Sequence, residues 1–370
     1  MDIKKLTQEF NIYGDYIDAK PFGNGNINDT FLVTYNQAGL SVRYIIRKIN
    51  KFVFKKPKIV VNNSVRVSLH IKNKLLNQGV KDVNRRTLTF LKTSNGNYYY
   101  KDQHEDYWCM VLYFEGACTI DYVKTKEQAF KSAEAFGNFQ KLIIDANILD
   151  YRETIPDFHH LPKRLLAFDN IVKTDPVDKL KNIEAELSML NKSRGISKEF
   201  TELMESKKLP IRVTHNDTKI NNVMLDNTTD EGLCVIDLDT VMPGIILNDF
   251  GDMVRTSTCP VTEDDKDISK VKVQLDIFEA LTKGYLGQIA NIVTKTELDK
   301  LVFGAKLIVY EQAVRFLTDY VAGDVYYPTS YEDHNLVRAK NQFALLESIY
   351  QQEKEMTEIV NKFAKANVLK

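Results

Sequence analysis

Residues Ile211–Arg255 run IRVTHNDTKINNVMLDNTTDEGLCVIDLDTVMPGIILNDFGDMVR. A short β-rich run leads into His215-x-Asp217, and Asn222 completes an H-x-D-x-x-x-x-N pattern. An apolar strand follows and ends in Asp237-Leu-Asp239. This set of side chains suits phosphoryl transfer. A γ-phosphoryl group carries several negative charges, which metal ions must neutralise. Mg²⁺ takes hard oxygen ligands, and Asn222 and Asp237 can supply them. The accepting hydroxyl needs a carboxylate to orient it and take its proton, and Asp217 can do that. His215 is read as a brace for the turn rather than as a proton carrier. The same acids and amides also fit an ordinary turn and hairpin. The full spacing followed by an Asp-terminated strand is much rarer than any of its parts.

Outward from this stretch, charge is unevenly spread. The chain has 370 residues with 50 basic and 50 acidic side chains, so the net charge is zero, which argues against a general nucleic-acid binder. Between Phe31 and Lys81 there is no Asp or Glu, while Arg43, Arg47, Lys48 and Lys51 are among many cations. Such a region suits an anionic ligand such as a polyphosphate. Asp226–Asp267 is rich in acids and suits divalent metals. No apolar run approaches the roughly 20 residues that cross a bilayer, and Met1–Phe10 is too charged for a signal peptide. Cys109, Cys118, Cys234 and Cys259 have no CxxC spacing and read as reduced thiols, so the expected location is cytoplasmic.

Residues 20–115 read mainly as strands. Thr30–Tyr35 and Tyr44–Ile49 are β-rich around the turn residues Asn36–Gly39, and Tyr98–Tyr100 and Trp108–Phe114 return to strand character. Ser64–Leu76 can be helical, with Val65, Leu69, Lys72 and Leu76 on one face. Helical spacing then dominates in Lys126–Ile144, Pro176–Leu190, Val271–Ile289, Thr296–Tyr320 and His334–Ala366. The β-rich island Ile211–Leu238 interrupts it. The expected architecture is α+β, a sheet-dominated N-lobe at residues 1–114 followed by a larger, mainly helical C-lobe at 115–370.

H-x-D-x-x-x-x-N with the following Ile236-Asp237 resembles the aminoglycoside phosphotransferase and choline kinase superfamily, distant relatives of protein kinases. THNDTKINN (214–222), IDLDTVMPG (236–244) and DFGD (249–252) are similar to its N-acetylhexosamine 1-kinase branch. So are Gly25-Asn-Ile-Asn28, Phe136-Gly-x-Phe-Gln140, Arg315-Phe-Leu-x-Asp-Tyr320, Gly323-Asp-x-Tyr326 and Glu332-x-His-Asn-Leu-Val-Arg338. These motifs run in order over nearly the whole chain.

The resemblance implies a protein-kinase-like two-lobe fold, with a nucleotide-binding N-lobe and a catalytic, substrate-binding C-lobe. It implies transfer of the γ-phosphoryl of ATP, with Mg²⁺, to the anomeric hydroxyl of N-acetylglucosamine or N-acetylgalactosamine. The alternative is a small-molecule kinase of the same fold acting on another sugar, an amino alcohol or an aminoglycoside. Asp217 would be the base or hydroxyl-orienting group in contact with substrate. Asn222 and Asp237 would hold Mg²⁺, with Asp239 as a further ligand or a supporting group. Arg315 and Tyr326 match positions that contact the sugar, although Arg315 could equally pair with Glu311 one helical turn earlier and Tyr327 adjoins Tyr326. Pro21–Thr30 matches the nucleotide-covering turn, with Gly23 and Gly25. Arg47 or Lys48 would pair with the phosphates. Strand alternation lets only one of them face the nucleotide, and Arg47 is preferred. Backbone groups of Tyr113–Glu115 would read adenine. Two departures stand out: Asn26 occupies a position where relatives often carry His, and Asn50–Lys81 offers no acid to brace the phosphate-pairing cation. The expected partners are the sugar and ATP, without nucleic acid or membrane, for a monomer or weak homodimer.

Overall fold

Alternating apolar residues in Asp29–Gln37 and Leu40–Lys48 make two half-buried strands, and Ala38-Gly39 between them closes a hairpin. Both turn residues have positive φ, 53° and 87°, as a two-residue turn matched to the strand twist requires. The computed structural model describes residues 2–23 and 28–368. By its internal contacts the chain forms two units. The first holds Met1–Cys118, Asp145–Pro156 and Met224–Pro243, and the second holds Thr119–Ile144, Asp157–Val223 and Gly244–Lys370. The first unit thus takes in two segments from beyond the N-terminal region, one of them carrying Asp237 and Asp239.

The first unit is built on a five-stranded antiparallel sheet. Its strands are β1 (Asp15–Pro21), β2 (Asp29–Gln37), β3 (Leu40–Lys48), β4 (Tyr100–Lys101) and β5 (Tyr107–Leu112), in the order β1-β2-β3-β5-β4. Trp108, Cys109 and Met110 in β5 are all fully buried, because both faces of that strand are covered. Val33, Ile46, Trp108 and Met110 pack on one face. Ile49, Val60, Val61, Val65 and Cys109 pack on the other. Each large apolar side chain buried here contributes roughly 1.5–3 kcal/mol. After the short helix α1 (Ile3–Thr7), the one long helix of this unit is α2 (Pro57–Asn77), with Pro57 in its first turn.

The buried stripe of α2 differs from the expected face. Leu69 and Leu76 are 41% and 53% exposed, whereas Val60, Ser64, Val67, Ser68, Ile71 and Leu75 are buried. The serines mislead a count of apolar residues. Ser64 Oγ is within hydrogen-bond distance of the Val60 and Leu238 carbonyls, at 2.9 and 3.0 Å, so a small polar residue sits inside with its hydroxyl satisfied.

The second unit is helical: α3 (Lys126–Ile143), α4 (Leu161–Thr174), α5 (Glu184–Lys192), α6 (Gly195–Glu205), α7 (Ile246–Ser257), α8 (Leu275–Ile289), α9 (Lys295–Asp299), α10 (Leu301–Ala322), α11 (His334–Gln351) and α12 (Glu353–Val368). The β-rich character of the N-terminal region and the helical C-terminal region match the α+β expectation. Several boundaries do not match. The helix expected over Pro176–Leu190 starts only at Glu184. Asp175 and Asp178 are left-handed, and the Asp175 carboxylate accepts the backbone N–H of Lys179, so the chain turns there instead of coiling. The long C-terminal pattern breaks at Gln352, and α4, α6 and α7 have no counterpart among the helices expected from the sequence. No helix among the described residues is long and apolar enough to cross a membrane.

Helices α7 and α10 pack at close range through two glycines. A Cβ on Gly251 would stand 2.3 Å from the Gly304 carbonyl oxygen, and one on Gly304 would stand 2.6 Å from that of Leu247. Gly251→Ala should therefore cost about 1–3 kcal/mol, the usual penalty of overpacking, despite alanine's better helix propensity. Chemical denaturation of the variant beside the wild type measures this.

Candidate active site

Asp217 sits in a loop whose backbone is held from below. Asn216 has φ 65°, a left-handed conformation that must be stabilised by its surroundings. The buried carboxylate of Asp249, in the first turn of α7, accepts the backbone N–H groups of His215 and Asn216 at 3.0 and 2.7 Å. Thr218 Oγ1 donates to the Asp249 carbonyl at 2.6 Å. His215 is fully buried, flanked edge-on by Phe136 and Phe139, and its Nδ1 accepts the Asp217 N–H at 3.2 Å. A bracing role for this histidine follows from those contacts. On the other side, His159 bonds the Asn216 carbonyl through Nε2 at 3.0 Å and Glu311 through Nδ1 at 2.9 Å. Burial opposes a charged imidazole at position 159, but Glu311 outweighs it and raises the His159 pKa.

The Asp217 carboxylate has one partner on each oxygen. Lys219 Nζ lies 3.1 Å from Oδ1, and Asn222 Nδ2 donates to Oδ2 at 3.1 Å and to the Asp217 carbonyl at 2.9 Å. Burial raises the cost of ionising Asp217, but Lys219 and His215 more than offset it and hold the carboxyl below the usual range. The amide nitrogen of Asn222 is spent on Asp217. Its carbonyl oxygen has no protein partner among the described residues, which fits a hard-cation ligand. Behind Lys219, Arg255 is buried between Asp252 and Glu263, at 2.9 Å from each. All of these residues belong to the helical unit.

Asp237, Asp239, Arg47 and Lys48 belong to the sheet unit. Arg47 leaves β3 on the face of Cys109, its cross-strand partner, while Lys48 points to the other face, where it pairs with Asp29 at 2.6 Å. Arg47 Nη2 contacts Asp239 Oδ1 at 2.5 Å, and Nη1 lies 3.6 Å from Asp237 Oδ1. Burial would lower the guanidinium pKa, yet Asp239 and Asp237 raise it. Asn28 Nδ2 donates to the second Asp239 oxygen at 2.8 Å. The brace absent from α2 is thus supplied by the Asp237–Asp239 turn. That turn is itself tied to α2, for Ser64 Oγ reaches the Leu238 carbonyl and Asn63 Nδ2 donates to the Val241 carbonyl at 2.8 Å. Asp237 is left-handed, with φ 54°, and its carboxylate is about half exposed. The Asp237 carboxylate is a hard oxygen donor of the kind Mg²⁺ takes, whereas Asp239 is already engaged on both oxygens.

The other expected residues are placed as follows. Gly23 is exposed with φ +83°, and Gly25 and Asn26 lie outside the described residues. The Tyr113 N–H donates to the Arg43 carbonyl at 3.0 Å, and the Tyr113 ring lies 4.4 Å from the Arg43 guanidinium. The Glu115 carboxylate pairs with Arg43, and its carbonyl accepts Arg85 Nη1 at 2.5 Å. Arg315 does not pair with Glu311, which is taken by His159. It bonds Gln312 Oε1 at 3.2 Å and lies over the rings of Phe158 and Tyr327, at 5.1 and 5.6 Å. Tyr326 is 43% exposed and meets Tyr327 edge-on at 4.9 Å, so the ring beside Arg315 is that of Tyr327.

Lys219, Asp249, His159 and Asn28 were not singled out as site residues from sequence. Lys219 had a local signal, two positions past Asp217. Asp249 and Asn28 stand in motifs that carry the resemblance, but their partners, like those of His159, lie far away in the sequence and give no local sign of the contact. With its pKa depressed, Asp217 stays ionised until the pH falls below the ordinary carboxylate range, so activity should be lost only there. Lys219→Met removes the main lowering influence and leaves the burial, so the acid limb of kcat/KM should move to higher pH. A pH–rate profile of both proteins decides this, and an unmoved limb would contradict the assigned coupling.

A family model described as "APH: Phosphotransferase enzyme family" matches residues 18–266. Among solved structures, the chain is similar to a microcompartment-associated aminopropanol kinase, with TM-score 0.63 and 13% identity over 96% of this chain and 99% of that one. A spectinomycin phosphotransferase solved with ADP and spectinomycin matches at TM-score 0.56 and 12% identity, covering 98% of this chain and 97% of its own. Choline kinase from Cryptosporidium parvum matches at TM-score 0.52 and 14% identity over 99% and 98%. Identities this low establish a common fold, while the family model spans well over half of the sequence and includes Arg47, Asp217, Asn222 and Asp237. The chain therefore belongs to the APH phosphotransferase enzyme family.

Proposed function

We propose that this phosphotransferase, a small-molecule kinase by its family, transfers the γ-phosphoryl of ATP to the anomeric hydroxyl of an N-acetylhexosamine, giving the sugar 1-phosphate. The observation that carries this reading is the setting of Arg315. Its guanidinium lies over Phe158 and Tyr327, is bonded among the described residues only to a neutral glutamine, and is in the same unit as Asp217. A guanidinium fork offers paired donors to hydroxyl or acetamido oxygens, and the aromatic rings offer faces for a sugar.

In this reading Asp217 orients the anomeric hydroxyl and takes its proton as the oxygen attacks phosphorus. An anomeric hydroxyl is more acidic than an ordinary alcohol, so a carboxylate of lowered pKa suffices and most of the rate comes from positioning and charge stabilisation. Lys219 keeps that carboxylate ionised and adds a cation near the transferring group. Mg²⁺, when bound by Asn222 and Asp237, neutralises phosphate charge. Arg47 serves the nucleotide phosphates, with Asp239 and Asn28 fixing its direction. Gly23 covers the nucleotide, and the backbone groups of Tyr113–Glu115 that Arg43 and Arg85 leave free read the base.

The alternative acceptors are amino alcohols or aminoglycosides, as the names of the similar aminopropanol and choline kinases suggest. An ammonium group needs acidic or aromatic enclosure, and a neighbouring guanidinium opposes it. Asp217→Asn should abolish sugar-dependent ADP release while leaving ATP binding in place, measured by a coupled assay and calorimetry. Arg315→Ala should raise the KM for the sugar about tenfold or more, the usual loss for hydrogen bonds from a charged group, and raise that for ATP far less. Phosphorus NMR of the product locates the phosphorylated position. A wild-type protein that ignores N-acetylhexosamines and phosphorylates amino alcohols would overturn the reading.

A further inference from the structure

Arg315 is not the only guanidinium at this place. Arg164, in the first turn of α4, is half-buried beside it. Its Nε and Nη2 donate to the Phe158 carbonyl at 3.3 and 2.8 Å, while Arg315 lies over the ring of that same residue. Phe158 therefore separates two cations, one bound to its backbone and one stacked on its side chain. Neither has an ion-pair partner among the described residues. The nearby Glu311 is engaged by His159, and Glu263 by Arg255. The two cations feel each other: burial, first, and then Arg315 depress the Arg164 pKa. Most of the chain's other buried or half-buried arginines are handled differently. Arg47, Arg212 and Arg255 each hold carboxylates. Glu311 acts on both guanidinium groups from a distance, but its direct partner is His159, so two half-buried cations share one carboxylate that bonds neither, and a ligand rich in acceptor oxygens would complete their hydrogen bonding.

We propose that Arg164 and Arg315 together form a donor subsite for acceptor oxygens of the substrate that receives the phosphoryl group, with Arg164 as a specificity-determining residue. The subsite takes a hydroxyl compound bearing a carboxylate or an N-acyl carbonyl and rejects one bearing an ammonium group. Arg164 has Nη1 uncommitted, and Arg315 has its Nη2 edge uncommitted, so each can donate to such oxygens. Tyr326 and Tyr327 adjoin the pair and can cover a sugar ring. The assignment rests on the acceptor reading of Arg315 given above and extends it to a class of acidic as well as N-acylated substrates.

The test is calorimetric titration of the full chain, held with Mg·ADP, against glucuronate, N-acetylglucosamine, glucose and glucosamine. Glucuronate and N-acetylglucosamine separate the carboxylate from the acyl source of the shared chemistry. Each is expected to bind at least about tenfold more tightly than glucosamine. Arg164→Met should remove most of that margin by weakening those two ligands more than glucose. Arg164→Lys keeps the charge without the fork, so it should still disfavour glucosamine while losing affinity for the other two. It also serves as the readout if the methionine variant does not fold. Glucosamine bound as tightly as N-acetylglucosamine, a margin undiminished in the folded variants, or no binding of any of the four sugars would overturn the subsite. The function proposed above fails separately, through phosphorus NMR showing no sugar 1-phosphate, and the binding margin does not depend on that result.

Discussion

A buried carboxylate receiving two backbone N–H groups underlies the chemistry of the helical unit. Asp249 accepts from His215 and Asn216, and burial pushes its carboxyl pKa up. An acid in that setting is tolerated only because its hydrogen bonds are complete, and the same bonds fix the direction in which the chain leaves toward Asp217. The left-handed Asn216 stores backbone strain that the Asp249 and His159 contacts offset. Close packing of α7 on α10 through Gly251 and Gly304 holds this acid in place, so a helix contact built on the absence of two side chains reaches the loop that carries the candidate base.

Two aspartates in one unit are driven apart by their surroundings. Asp249, buried and bonded to neutral N–H groups, is raised, whereas Asp217, beside Lys219, is lowered. Such divergence is how acids of one type divide structural and chemical labour. In the sheet unit the same economy appears with a cation. Arg47 engages Asp239 while lying near Asp237, which a planar fork can do and an ammonium would do less directionally. An acid on α2 is unnecessary because the helix instead donates Ser64 and Asn63 to the carbonyls of the same turn.

Fold and acceptor are separate matters in this family. The similar structures include aminopropanol, spectinomycin and choline phosphotransferases, all on one scaffold. In this chain Phe158, Arg164, Arg315 and Tyr327 gather two guanidinium groups that have no ion-pair partner among the described residues. A cationic acceptor would meet repulsion there, and an oxygen-rich one would meet donors.

The H-x-D-x-x-x-x-N stretch, the strand just before Asp237 and the sheet-then-helix order were legible because each depends on residues close in sequence: turn residues, alternation of two and the spacing of one loop. The pleat likewise sets Arg47 and Lys48 on opposite faces of β3, but it does not say which of the two meets the Asp237–Asp239 turn. The buried face of α2 was not legible, since Ser64 and Ser68 are inside only by virtue of bonds that a count of apolar residues does not see. Nor were the partners of Arg47, the hold of Asp249 and His159 on the loop, or the meeting of Arg164 with Arg315. Those contacts join residues far apart in the chain, and a side chain's charge partner is set by what folding brings beside it. Local chemistry could name the acids and cations, but only packing could say which of them neutralise one another and which are left for a ligand.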